Sequence, residues 1–158
     1  MAQDQHVQTA SPRVRLAVAG LQHGHILSVM RYVSTHPGFE LVAIAERDTD
    51  LARRTGEQWQ LPVYAHIDDL LANEEVDAVA LAPVNSEKGP LIAHCLRQGL
   101  HVLVDKPLVT TEEQLADVRE ALETSGRILS LMLTLRFTPS YATACRLVRE
   151  GAIGRVVH

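Results

Sequence analysis

The chain has 158 residues, 46% of them hydrophobic, and a formal net charge of -4, which fits one globular domain and argues against a disordered segment. An acidic balance with no Lys/Arg cluster argues against nucleic-acid binding, and the apolar runs are strand-sized, too short for a membrane span. Residues 1–12 are polar and lack the basic-then-apolar pattern of a signal peptide, so they read as a flexible tail. The two cysteines, Cys95 and Cys145, fall in expected helices and fit reduced thiols of a cytoplasmic protein.

Residues 14–19 form a short β-branched apolar run ending at Gly20, as a buried parallel strand does. Residues 25–36 carry Ile26, Leu27, Met30 and Val33 at helical spacing, and Pro37-Gly38 stops that helix. A second strand is expected over 39–45, then a helix capped by Asp48. A third strand over 63–65 and a short helix over 67–72 follow. Residues 77–82 read as a fourth strand, 83–86 as a loop and 90–98 as a helix that Gly99 ends. A fifth strand covers 101–104, Thr110 with Glu113 has the spacing of a capping box for the next helix, and 128–132 make a sixth strand. Residues 138–150 read as a last helix, and 151–158 as the start of a new strand without a partner, which we take as a sign of truncation. This alternation predicts an α/β class, a doubly wound parallel sheet of the Rossmann type.

Three places carry chemistry. The first strand runs into Gly20-Leu21-Gln22-His23-Gly24-His25, a turn that could bring backbone N–H groups to a pyrophosphate at the helix start. Only Gly20 is in register with a G-x-G-x-x-G pattern; Gln22 and His25 occupy the other glycine places, and Gly24 restores some freedom. A bare strand-to-helix turn without ligand fits this segment equally well. Glu46, ending the second strand, can accept hydrogen bonds from ribose hydroxyls and so favours NAD, whereas Arg47 beside it could pair with the 2′-phosphate of NADP. The fifth strand delivers Asp105-Lys106-Pro107 to the rim where ligands bind in open α/β sheets. Lys106 there could stabilise a developing alkoxide, with Asp105 keeping it charged and Pro107 fixing the turn through a cis bond. His23 and His25 form an H-x-H, but no cysteine or carboxylate stands at ligand spacing, so no metal site is expected. Lys88 reads as a solvated loop charge and His94 as a packed or surface residue.

Taken together, these segments resemble the N-terminal domain of the glucose–fructose oxidoreductase/inositol dehydrogenase/MocA family. The resemblance rests on the turn at Gly20, Ala45-Glu46-Arg47-Asp48, Pro83-Val84-Asn85, the run from Gly99 through Asp105-Lys106-Pro107 to Leu108, Arg136-Phe137-Thr138-Pro139 and residues 151–154. It implies residues 13–133 as an NAD(P)-binding Rossmann domain and 134–158 as the beginning of a truncated α+β substrate and dimerisation domain. It also implies an NAD(P)-dependent dehydrogenase acting on the secondary alcohol of a sugar, polyol or related small molecule, without nucleic-acid or membrane partners. Gly20, Leu21, Gln22, His23, Gly24, Glu46, Arg47, Pro83, Asn85, Asp105, Lys106, Pro107 and Arg136 would border the cofactor. Lys106 would contact the substrate hydroxyl, while the acid/base residue would lie beyond His158. Apolar surface meant for the rest of such a protein predicts a homo-oligomer. The chain departs from the family at Gln22, at Pro83-Val84 for Thr-Pro, at Asp105 for Glu and at Lys88 for His. Two rival readings keep the same fold: a non-catalytic dinucleotide-binding or sensing module that pairs with another chain, and a Rossmann domain that has lost its ligand.

Overall fold

The computed structural model describes residues 12–157, so all but the last residue of the tail expected over 1–12 lies outside the described residues. Six strands form one parallel sheet: β1 (Val14–Ala19), β2 (Phe39–Ala45), β3 (Val63–Tyr64), β4 (Ala78–Leu81), β5 (His101–Asp105) and β6 (Leu129–Met132). Their order, β3-β2-β1-β4-β5-β6, is the doubly wound arrangement, with the direction of winding reversing between β1 and β4. The helices are α1 (His25–Thr35), α2 (Thr49–Trp59), α3 (Ile67–Asn73), α4 (Asn85–Arg97), α5 (Glu112–Ser125) and α6 (Pro139–Arg149), with a 3₁₀ turn (Thr134–Phe137) ahead of α6.

Alternation along the strands divides the core in two. Ala17, Ala19, Ala43, Ala45, Val79 and Leu81 face one way and meet Ile92, Leu96 and Val118 of α4 and α5. Leu16, Val18, Ile44 and Ala80 face the other way and meet Ile26, Met30 and Val33, the periodic residues of α1. Each buried valine, leucine, isoleucine or methionine among them contributes about 1.5–3 kcal/mol, so the sheet is secured from both faces. α6 buries no residue at all.

Four local expectations need correction. α4 starts at Asn85, not at 90, and carries Pro90 inside it. A proline at that place removes the N–H that would bond to the carbonyl four residues back, Ser86. The Gln114 side chain fills the gap: its Nε2 donates to Ser86 O at 3.0 Å. The cap of α5 falls one residue later than expected, at Thr111, whose hydroxyl accepts from Gln114 N at 3.2 Å. Gln114, not Glu113, closes the motif, because its Oε1 also accepts from Thr110 N at 3.0 Å. Residues 151–157 are turn and irregular backbone in place of a strand; Gly151 and Gly154 take φ of 70° and 74°, outside the extended region. Finally, Gly24 sits in the right-handed helical region (φ -61°, ψ -17°), so it supplies open space and no special conformation. Asp48, by contrast, caps α2 as expected, accepting from Asp50 N and Leu51 N.

The turn after β1 depends on Gly20. Its φ is +78°, and a Cβ there would lie 2.5 Å from Pro83 N. Both the conformation and the approach of the β4 end exclude a side chain. We expect Gly20→Ala to cost about 2–4 kcal/mol in urea unfolding, from left-handed strain plus a backbone clash. Gly24→Ala should stay within about 0.5 kcal/mol of the parent, because its backbone is already helical and nothing crowds the new methyl.

At the opposite end of the sheet, Arg15 grips Asp77: Nη2 donates to Oδ1 at 2.9 Å and the Arg15 N–H to Oδ2 at 2.8 Å. Those side-chain and backbone hydrogen bonds hold the Asp77 carboxyl down at about 2. A carboxyl depressed in the folded state stabilises above its unfolded value and stops doing so as pH falls through the folded one. Thermal melts from about pH 5 to pH 2 should therefore show the parent losing Tm more steeply than Asp77→Asn, the two converging near the acid end.

Candidate functional site

The carboxyl ends of β1, β2 and β4 meet where the winding reverses, and a cleft of about 370 Å³ opens there. Gly20, Gln22, Glu46, Arg47, Asp48, Pro83 and Val84 line it, together with His66 and Asp68 at the start of α3. Glu46 is 6% exposed, and its carboxylate forms the hub of the cleft. Leu21 N donates to Oε2 at 2.7 Å, Asp48 N to Oε1 at 2.9 Å, and Gln22 Nε2 lies 3.3 Å from Oε1. These bonds lock the carboxylate under the Gly20 turn, and lone pairs remain for further donors. Arg47 reaches across the mouth to Glu87, Nη1 to Oε1 at 3.0 Å.

Gln22 does not disturb the turn. Its N–H bonds to Ala82 O at 2.9 Å, and Gly20 alone between 20 and 25 needs a positive φ. α1 begins without a side-chain cap from Gly24 and without an acid in its first turn, at the end of the helix where anions are favoured. Pro83 is buried behind Gly20, and Asn85 is exposed as the first residue of α4.

A second cavity of about 770 Å³ lies at the β5–β6 side of the sheet, bounded by α6. Lys106, His25, Arg136, Tyr141 and Arg149 line it with apolar neighbours such as Leu135. Lys106 is exposed, and the Lys106–Pro107 bond is cis. Asp105 does not serve Lys106 in the way the sequence predicts. Its side chain is wholly buried and turns back toward α1, where His25 Nδ1 meets Oδ1 at 2.9 Å and His23 Nδ1 lies 3.2 Å from Oδ2. Burial pushes this carboxyl up, but the His25 hydrogen bond, the His23 and His25 charges and the Lys88 ammonium outweigh it, so the net direction is downward.

Lys88 is the clearest residue that the sequence misplaces. Because α4 starts five residues early, Lys88 faces inward, 1% exposed, and Nζ donates to the Lys106 carbonyl at 2.7 Å. Burial lowers its basicity, and nearby Asp105 works against that. His25 is the other residue missed as a site member; its contact is with a residue eighty positions away, and no local pattern announces it.

Comparison with known proteins agrees with this architecture. The family model described as "Oxidoreductase family, NAD-binding Rossmann fold" matches residues 14–133. The chain is 29% identical over 151 residues to scyllo-inositol 2-dehydrogenase (NAD(+)) of Bacillus subtilis, covering 92% of this chain and 43% of that protein. It is 33% identical over 147 residues to inositol 2-dehydrogenase 4 of Saccharopolyspora erythraea, covering 90% and 42%. In three dimensions it superposes on myo-inositol 2-dehydrogenase of Lactobacillus plantarum with a TM-score of 0.84 at 20% identity, over 92% of this chain and 43% of that one. The chain thus spans less than half the length of these relatives. With the family pattern running from β1 through β6, the chain belongs to the glucose–fructose oxidoreductase/inositol dehydrogenase/MocA family of oxidoreductases with an NAD-binding Rossmann fold.

Proposed function

We propose that this chain is the nucleotide-binding part of an NAD-preferring dehydrogenase that acts on the secondary alcohol of a sugar, polyol or related small molecule. The observation that carries the proposal is the placement of Glu46: an almost buried carboxylate at the crevice where winding reverses, directly under the Gly20 turn. Its free lone pairs suit the two hydroxyls of an adenosine ribose. A 2′-phosphate would meet Glu46 and also Glu87, which holds Arg47 in an ion pair, so the cleft disfavours NADP. The start of α1, with no acid in its first turn, fits a pyrophosphate.

A nicotinamide, when bound, supplies the hydride acceptor. The rest falls to residues of the chain. Lys106 opens onto the larger cavity, where its ammonium can donate to the substrate hydroxyl oxygen and stabilise the negative charge that grows there. Its role is to orient and polarise that hydroxyl before any transfer of its proton. Lys88 fixes the backbone on which Lys106 stands. We take residues 134–157 as the opening of a substrate domain, a reading supported by α6, which buries nothing and exposes Tyr141 and Val148. Inositol is named in several relatives, and a polyol of that class is the substrate we favour.

Calorimetric titration tests the proposal directly. NAD should bind in the micromolar range and NADP at least about tenfold more weakly, and Glu46→Ala should weaken NAD by at least about tenfold, near 1.4 kcal/mol. Absence of heat with both cofactors would overturn the reading in favour of a ligand-free Rossmann domain.

A further inference from the structure

The fold assembles a group of side chains that the sequence keeps far apart. His23 and His25 lie in the turn that opens α1, and Asp105 ends β5, yet one ligand atom from each falls within 4.8 Å of the other two. The individual separations are telling. His25 Nδ1 to Asp105 Oδ1 is 2.9 Å and His23 Nδ1 to Asp105 Oδ2 is 3.2 Å. Two ligands each about 2.0–2.2 Å from a tetrahedral or octahedral ion stand about 2.9–3.5 Å apart, so these are the edge lengths of a coordination sphere. The two rings stack at 4.2 Å with planes tilted by 54°, and both are partly exposed, so a ring rotation closes the remaining edge.

A second observation is independent of proximity. Asp105 Oδ2 is buried and has no hydrogen-bond partner, although the other oxygen of the same carboxylate has one. His23 Nδ1 lies 3.2 Å from it without hydrogen-bonding to it, and that nitrogen is the acceptor of the His25 N–H at 3.3 Å. A buried carboxylate oxygen without a donor costs free energy, and a cation held between it and the two imidazoles would recover it. The buried Lys88 ammonium acts on Asp105 only through its charge; its hydrogen bond goes to the Lys106 carbonyl.

We propose that His23, His25 and Asp105 form a binding site for a divalent transition-metal ion of the zinc type. Two imidazoles with one carboxylate select such an ion over magnesium or calcium, which prefer all-oxygen shells. Three protein ligands leave a position open, as in catalytic zinc sites, and His25 shares its cavity with Lys106. Binding through His25 Nδ1 requires the proton of the neutral ring to sit on Nε2, a change of tautomer that releases no net proton. The neighbouring ammonium lowers affinity for a cation, which places the expected dissociation constant in the micromolar range.

The test is titration of the full chain with zinc chloride, without nicotinamide cofactor, in buffers of differing ionisation enthalpy. Its outcome is thus separable from that of the NAD experiment. One equivalent of zinc should bind, with a heat that does not depend on the buffer, because neutral imidazole ligands release no net proton. Cobalt(II) in its place should give visible absorption bands of a four- or five-coordinate ion. His23→Ala and His25→Ala should each weaken zinc at least about tenfold, while His94→Ala leaves it unchanged. Asp105→Asn should do the same, and circular dichroism checks that this buried variant is folded; the partly exposed His23 keeps the test decisive if it is not. No zinc uptake, or uptake that survives both His23→Ala and His25→Ala, would overturn the proposal.

Discussion

A buried carboxylate and a buried ammonium determine how the end of β5 meets the rest of the sheet. Asp105 has no exposure and Lys88 has 1%, and each ion left alone in such surroundings would cost several kcal/mol. They are kept because each finds a hydrogen-bond partner of its own. One Asp105 oxygen takes the His25 hydrogen bond and Lys88 takes the Lys106 carbonyl, while their opposite charges favour each other. The backbone between Asp105 and Pro107 is thereby tied to α1 on one side and α4 on the other. Lys106, the residue proposed to meet substrate, is exposed, but it stands on a fixed support.

Much of this was legible from the sequence. Strands fully buried on both faces are continuous apolar runs, and their alternation with helices left one topology to consider. Gly20, Glu46 and the Asp105-Lys106-Pro107 run could be picked out because each lies at a strand end, where an open sheet collects its ligands. What escaped was set by contacts distant in sequence. Pro90 looked like a helix start because nothing near it shows that Gln114 will supply the missing donor. That single displacement put Lys88 in a loop on paper when it lies at the inner face of a helix. Likewise, His23 and His25 lacked a third partner only when the search was confined to nearby residues.

The glycine pattern gives a related lesson. A dinucleotide turn is usually recognised by three glycines, yet here one suffices for the backbone path. The second place is taken by Gln22, whose main chain needs no unusual conformation and whose side chain leans on Glu46. The third is taken by His25, whose ring is drawn away from the turn by Asp105. A motif departs from its pattern without loss of architecture when the replaced residues find partners elsewhere.

The proline in α4 has a consequence for motion. The first turn of that helix, with Val84 and Glu87 lining the cleft, lacks one of its own hydrogen bonds and borrows a substitute from α5. Gly89 makes the loan feasible, since a Cβ there would lie 2.7 Å from that of Gln114. The rim of the nucleotide cleft is therefore not an autonomous helix start. Its local opening is coupled to α5, so amide exchange at the head of α4 should report on the docking of a helix that does not line the cleft.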